Sequence, residues 1–381
     1  MKVLRNYLTS EIARSIAFVL AAFLALFAFF DLMGELGSIG HGAYGMQHAF
    51  FYLLLNLPGH TYELMPIAAL IGTVWALAQF ASNSEFTIMR ASGMSAWQAC
   101  RMLAGLGLGL VVLTFVFGEF VSPYTSGVAQ KMKLRVQGSS ISQEFRSGLW
   151  AKDVIRDHGV LGEPIGSRFL NVHDVSTDGE LHGVKLYDLD TDFYLTGIVT
   201  AERARYQGAQ IWRLYTVTQT RFNAVMPDGM STNATDKPVS IQTLDTLDLP
   251  SEITPGILSV LFADPNRMSA NDLAAYINHL AENKQLTDRY EIAFWKKIVY
   301  PFAVLVMMAL ALPFAYMQVR SGGVSVKIFI GIMIGVSFQL LNSLFSHIGL
   351  LKAWPPLATA ILPSLAFLLM AVAALIKVER R

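Results

Sequence analysis

Six long apolar runs flank one long polar stretch, three on each side, and this layout limits the chain to very few architectures. The runs lie near residues 12–33, 61–80, 98–122, 298–318, 324–346 and 354–376. A helix needs about 20 mostly apolar residues to cross the ~30 Å hydrocarbon core. Hydrocarbon offers no partner to an unpaired backbone amide, so runs of this length are expected as helices. Ile16–Phe30 and Ile298–Val319 contain no charged residue. Charged residues make up 15% of the chain, against about 25% in an average soluble domain. The deficit falls in the six runs. The pattern predicts an α-helical membrane protein with six transmembrane helices, arranged 3+3, and a polar domain inserted between the triplets.

The first run follows Lys2 and Arg5, as a secretory signal would. It is longer than a usual signal core, charge persists to Arg14, and five further runs follow. An uncleaved first helix is expected. Short-loop lysines and arginines set the orientation. They cluster at Lys2, Arg5 and Arg14, at Arg90 and Arg101, at Arg320 and Lys327, and at Lys377, Arg380 and Arg381. The opposite loops hold Asp31, Glu35 and His41, then Lys352 alone. Both termini are therefore expected in the cytoplasm and the inserted domain outside, which in a Gram-negative cell is the periplasm. Net charge is +1, giving no overall case for nucleic acid. Cys100 is the single cysteine and reads as a small apolar core residue.

The inserted stretch reads as short strands. Arg168–Val175, Val184–Leu189, Ile198–Tyr206 and Ile211–Phe222 are rich in β-branched and aromatic residues. Thr177-Asp178-Gly179, Gln207-Gly208 and Pro227-Asp228-Gly229 supply turns between them. A sandwich or jellyroll-like all-β domain is expected. Asp188, Asp190 and Asp192 alternate like the start of a calcium loop, but Phe193 and Val199 stand where its glycine and final acid belong. Solvated turn acids are the better reading. From Ser269, a capping pattern with Asp272 precedes Leu273, Tyr276, Ile277 and Leu280 at helical spacing. The expected boundaries are 1–122 for helices one to three, 123–268 for the β domain, 269–295 for the amphipathic helix and 296–381 for helices four to six.

The chain has no GxxxxGK[ST] phosphate loop, no HExxH, no CxxC and no GxSxG. No catalysis, cofactor or metal is expected from its own residues. One inner loop stands out, Ser82-Asn-Ser-Glu-Phe-Thr-Ile-Met-Arg-Ala-Ser-Gly93. A serine cap, an acid at the positive helix start and a closing glycine predict a short helix. Phe86 and Met89 would form an apolar knob beside Arg90. Such a helix is either packed on its neighbours or docked into a separate motor.

Ser84-Glu85-Phe86 with Met89-Arg90-Ala91-Ser92-Gly93 resembles the coupling-helix motif of the LptF/LptG family of lipopolysaccharide-export permeases. Gly148-Leu149-Trp150-Ala151-Lys152-Asp153, Tyr290 with Trp295-Lys296-Lys297-Ile298 and Pro301, and Pro355-Pro356 with Leu362-Pro363-Ser364 resemble the same family in the same order. The resemblance spans essentially the whole chain, and Leu149–Asp153 favours its LptG branch. It implies a permease subunit of an ABC transporter that extracts lipopolysaccharide from the inner membrane. The implied partners are the sister permease LptF, two copies of the cytoplasmic ATPase LptB, and the periplasmic bridge proteins LptC and LptA. Ser84, Glu85, Phe86, Met89 and Arg90 then become candidates for motor contact. Lys133, Arg135 and Lys297 become candidates for lipid A phosphates, and Phe27 and Phe30, with Phe23, for acyl chains. Gly331 and Gly335, four apart, are candidates for the subunit interface or for packing within the chain. Gln339 and Asn342 should face protein or a cavity. The outer end of the first run departs from some relatives: Asp31–Gly40 is acidic where they carry lysines. The alternative is a non-transporting membrane scaffold or sensor whose outer domain binds a partner.

Overall fold

The computed structural model describes residues 2–40, 43–93, 96–137, 148–157, 164–176, 179–222, 239–255, 257–258, 264–282, 285–316, 324–352 and 354–379. The side chains of Arg90 and Arg135 lie outside this description, as do His41, Thr177-Asp178, Pro227-Asp228-Gly229, Arg320, Arg380 and Arg381. Among the described residues, six helices are long and apolar enough to cross a membrane. They are α1 (Lys2–Glu35), α2 (Met46–Ser82), the joined α4 (Ala96–Val116) and α5 (Ser122–Gln137), the joined α7 (Asp288–Val299), α8 (Ala303–Ala311) and α9 (Pro313–Tyr316), α10 (Val324–Lys352) and α11 (Pro356–Glu379). The short α3 (Glu85–Ala91) sits between α2 and α4. Three spans precede the β domain and three follow it.

The second helix begins well before its apolar run. His48, Asn56, Pro58, His60 and Glu63 dilute the hydropathy of its first half. Buried Asn56 and His60 meet partners on other elements, so the helix continues through them. Asn56 Oδ1 accepts from Arg267 at 2.6 Å, and His60 Nε2 lies 2.7 Å from Asp31 Oδ2. Of its most apolar stretch 83% is buried, against 11% for α1, so α2 is the central helix of the bundle. The third span runs past its apolar segment through a π-helical turn, Phe117–Val121, into α5. Pro301 and Pro313 divide the fourth span at a 3₁₀ turn and at the start of α9.

The inserted domain is one six-stranded sheet: β1 (Leu149–Arg156), β2 (Pro164–Val175), β3 (Leu181–Leu189), β4 (Leu195–Gly208), β5 (Ile211–Phe222) and β6 (Val239–Pro250). Each strand is antiparallel to the next, in chain order. The jellyroll-like expectation thus takes the form of an up-and-down sheet, with no crossover among the described strands. β1 and β6 escape the strand pattern. β6 mixes Ser240, Gln242, Thr243, Asp245 and Asp248 irregularly with Val239, Ile241, Leu244, Leu247 and Leu249 and is largely exposed. The concave face buries Leu170, Val184, Leu186, Val199, Trp212, Leu214 and Val217.

Asp153 laces the first strand to the end of the last. Its carboxylate accepts from Ser251 Oγ at 2.6 Å, Val154 N at 2.9 Å and Glu252 N at 3.3 Å. Arg156 adds an ion pair to Glu252 at 2.7 Å. Yet the sheet register carries Asp153 across to Ser240, the far end of β6. The sheet has therefore rolled on itself with a stagger of nearly a whole strand. Of the three alternating acids, Asp188 pairs with Arg168 at 2.6 Å, Asp190 accepts from Asp192 N and Tyr194 N in the hairpin turn, and Asp192 is exposed.

After β6 the chain returns through the 3₁₀ turn Pro265–Arg267 to α6 (Ala270–Glu282). Ser269 Oγ donates to Asp272 Oδ2 at 2.7 Å and accepts from Asp272 N at 3.1 Å, which caps the helix as expected. Leu273, Tyr276 and Leu280 bury against α7, with Tyr276 and Tyr290 edge to face at 4.6 Å.

Burial, the largest influence, raises the Asp153 carboxyl above its ordinary 3.8, and the Ser251 hydroxyl opposes this. A raised carboxyl favours the folded state most below the unfolded value and loses that contribution as pH rises through the folded value. In melts of the full-length protein between about pH 4 and 7, Asp153→Asn should remove this pH-dependent loss. The gap in melting temperature between wild type and variant should therefore shift with pH; a constant gap would count against a raised Asp153.

Candidate functional site

The end of the bundle away from the β domain is built around α3. Ser84 sits at φ +60° and Gly93 at φ +92°, left-handed positions that bracket the helix. Glu85 accepts from Tyr7 Oη of α1 and from Asn83 Nδ2, each at 3.2 Å. Phe86 and Met89 do not form an outward knob. Both are buried, with the Phe86 ring edge-on to Tyr316 of α9 at 5.0 Å. The apolar side of this short helix is what holds it to the bundle, and each such burial is worth about 1.5–3 kcal/mol. The outward side consists of Ser84, Thr87, Ile88 and Ala91, and Ile88 is 64% exposed.

At the β-domain end, the acidic terminus of α1 is tied down twice. Asp31 holds His60 of α2, and the Phe27 ring packs on that imidazole at 5.2 Å. Glu35, itself buried, accepts from Lys133 Nζ of α5 at 2.8 Å and from Tyr44 Oη at 3.0 Å. Lys133 also lies 5.0 Å from the Tyr52 ring centre. Lys133 is thus not a free cation awaiting phosphate; its position is already filled by a carboxylate. That carboxylate is Glu35, while Asp31 is taken by His60. Phe23 packs beside Val19 and Ile67, while Phe30 is 57% exposed.

Gly331 and Gly335 of α10 face α2, not an outer surface. A Cβ on Gly335 would stand 2.9 Å from Ile67 Cγ2, and one on Gly331 would touch Val74. Gly72 of α2 is closer still to α1, where a Cβ would meet the Ile16 backbone at 2.6 Å. The small residues therefore seat α1 and α10 on the central helix. The outward face of α10 carries Phe329, Met333, Val336 and Leu340 instead.

Lys297 is only 4% exposed. Its Nζ meets the Asn266 carbonyl at 3.5 Å and lies 5.1 Å from the Tyr62 ring centre. It lines a cavity of about 370 Å³ between α2, α7, α10 and the Pro265–Arg267 turn. Arg267, Arg289 and Lys296 share this cavity, and Gln339 and Asn342 of α10 line it too. The linking turn is anchored beside it. Glu119, buried in the π turn, accepts from Ala270 N through both oxygens at 3.0 and 2.9 Å. Glu119, Asn56, Arg267 and Arg289 are functional candidates that sequence reasoning passed over. For Glu119 and Asn56 the available signal was a charge or amide inside an otherwise apolar helix, which calls for a buried partner; Arg267 and Arg289 lie outside the apolar runs and carried no such signal.

The family described as "Lipopolysaccharide export system permease LptF/LptG" matches residues 6–377. The chain belongs to this family. The lipopolysaccharide export system permease protein LptG of Escherichia coli K12 is 29% identical over 370 residues, covering 96% of each chain. The protein of the same name from Haemophilus influenzae is 28% identical over 371 residues, covering 97% of each. As an LptF/LptG permease, the chain is a multi-pass inner-membrane subunit of a lipopolysaccharide export system, without catalytic chemistry of its own.

The Glu35–Lys133 pair is mostly buried, so breaking it leaves an uncompensated charge. Glu35→Lys and Lys133→Glu should each lower the melting temperature of the full-length protein, by a loss of about 1–3 kcal/mol. Combining them should recover most of the loss. Additive losses in the double variant would show that the pair does not hold the α1 end.

Proposed function

We propose that this chain is the LptG-type permease subunit of an ABC transporter that lifts lipopolysaccharide out of the inner membrane. It pairs with LptF, two LptB subunits beneath the pair hydrolyse ATP, and the lipid passes by way of LptC and LptA toward the outer membrane. Both termini and α3 lie in the cytoplasm, and the rolled sheet lies in the periplasm. The observation that carries this reading is the separation of two surfaces on one packed bundle. A short helix, anchored by Phe86 and Met89, presents Ser84, Thr87 and Ile88 at one end. A β domain stands on the other, at the mouth of the spans.

The anchoring pair gives α3 a mechanical role suited to a motor contact. A helix held only by its polar loops would yield when pushed. One buried through two large side chains moves with the bundle. Glu85 and Arg90 remain candidates for the motor contact, with Ile88 as the exposed apolar residue between them. The exposed faces of α1 and α10 flank α2 and form the surface toward the sister subunit and the lipid. Phe30 offers acyl chains an apolar contact there. Lys133 meets a lipid A phosphate only by exchanging Glu35 for it, and Arg135, on the same helix, supplies a second cation.

Two measurements test this reading. Glu85→Lys or Ile88→Asp should reduce ATPase co-purification at least about tenfold, a loss typical of a disrupted interface contact. Unchanged association and growth would sink the coupling assignment. A photo-crosslinking residue in place of Phe30 should capture lipopolysaccharide in an ATP-dependent manner, whereas one in place of Ile88 should not.

A further inference from the structure

Lys327 stands in the first turn of α10, at the α3 end of the bundle, and is only 4% exposed. An ammonium enclosed in a membrane bundle carries a free-energy cost that a methionine of similar length would not. Its presence calls for a contact that an apolar side chain could not make. Its Nζ donates to the Phe314 carbonyl of α9 at 3.3 Å. α9 is the last described turn of the fourth span, and the carbonyl end of a helix favours a cation. Two hydroxyls of α10 turn back onto their own helix: Ser337 Oγ donates to the Met333 carbonyl and Ser346 Oγ to the Asn342 carbonyl. Lys327 reaches across to the neighbouring span instead.

The turn that Lys327 grips is also the turn on which α3 rests. Tyr316 lies in the same turn as Phe314, and its ring meets Phe86 of α3 edge-on at 5.0 Å. Phe86 and Phe314 are both buried. On its other flank α3 holds α1, where Tyr7 Oη donates to Glu85 and the Tyr7 ring packs on Phe80 at 5.7 Å. α3 is thus linked to α1 directly and to α10 through α9. Farther along, α10 is seated on α2 by glycine contacts, Gly331 on Val74 and Gly335 on Ile67. Small residues of this kind set how close two helices come. A hydrogen bond from a charged group fixes direction as well as distance. At the α3 end, Lys327 therefore ties α10 to α9 in one register.

We propose that Lys327 is the positioning residue that passes displacement of α3 to α10. When α3 is pushed, the Phe86–Tyr316 contact moves α9, and the Lys327 bond draws the start of α10 along with it. Without that bond, α9 would move and α10 would stay seated on α2. Phe329, Met333, Val336 and Leu340 are exposed on α10, so its movement reshapes the surface that the chain presents outward. α1 moves in the same stroke through Tyr7. Lys327 is enclosed and touches neither a motor nor a lipid; its role is transmission between packed elements. The inference rests on the motor reading of α3 given above, and not on the identity of the lipid carried.

The test uses the full-length chain in its purified complex with the ATPase. Cys100→Ser removes the native thiol, and spin labels are carried by Leu351→Cys on α10 and Tyr124→Cys on α5, both exposed positions. Trapping the ATP-bound state should change the distance between the labels by about 2 Å or more, the scale of a helix shift. Lys327→Met should abolish this change and lower ATP-dependent lipopolysaccharide crosslinking at the Phe30 position about tenfold. ATPase co-purification and hydrolysis should stay within about twofold, because the motor contact itself is intact. Lys327→Arg should preserve the shift and the crosslinking. Tyr316→Leu should reproduce the loss of the shift, and the double variant should be no worse than either single one, because the two contacts act in series. Should Lys327→Met fail to assemble, Lys327→Gln and Tyr316→Leu carry the same test. An unaltered shift in the Lys327 variants, hydrolysis lost together with the shift, or losses that multiply in the double variant overturn the inference. So does a complex with native Lys327 whose α10 does not shift with ATP. A shift that depends on Lys327 in a complex that captures no lipopolysaccharide supports the inference and overturns the transport reading instead.

Discussion

Everything in the membrane part is packed on α2. Apolar side chains gain little by leaving lipid tails for one another, so helices in a bilayer are held by close contact and by polar pairs. α2 supplies both. Gly72 lets Ile16 of α1 come to backbone distance, and Ile67 fills the space left by Gly335 of α10. Asn56 and His60 give the same helix polar ties to Arg267 and Asp31. A larger residue at Gly72 would push α1 away and loosen the Asp31 and Glu35 ties at its end.

The same helix joins the two ends of the bundle. At 37 residues it is roughly 55 Å long at 1.5 Å per residue, longer than the hydrocarbon core. Its last turn leads directly into the anchored α3. Its first half carries the partners of the linking turn and one wall of the cationic cavity. Displacement applied at α3 therefore has a continuous packed route to the base of the β domain, through Tyr316, α2 and Asn56. The carboxylate of Glu119 pins the start of α6 to the third span at the same level. The rolled sheet is closed by Asp153, Ser251 and the Arg156–Glu252 pair. It is thus held as one piece above this base.

Much of this was legible in the chain. Six apolar runs fixed six spans because hydrocarbon admits few alternatives. The cap at Ser269 and the apolar spacing after it gave α6 because both are local. The inner loop was readable as a short helix from its bracketing Ser84 and Gly93. Less legible were elements whose composition disguises them. The first half of α2 is interrupted by Asn56, Pro58, Gly59 and His60, and β6 shows little alternation because it is largely exposed. The direction in which side chains point was what the chain left open. Phe86 and Met89 turn inward, Gly331 and Gly335 take the intrachain alternative against α2, and Lys133 meets Glu35.

The sequence by itself determined the class of molecule, the number of spans, the family and the lack of a motor of its own. These follow from composition, spacing and local motif, which need no knowledge of what lies across a contact. Tertiary structure decided which charges are satisfied and which are not. Lys133 and Lys297 look alike in the chain, each a lysine near the outer end of a span. One is paired directly with a carboxylate nearly a hundred positions earlier, and the other meets a backbone carbonyl and the Tyr62 ring instead. The difference arises only when α1, α2, α5, α7 and α10 are brought together, because the field at a buried ammonium is set by neighbours in space.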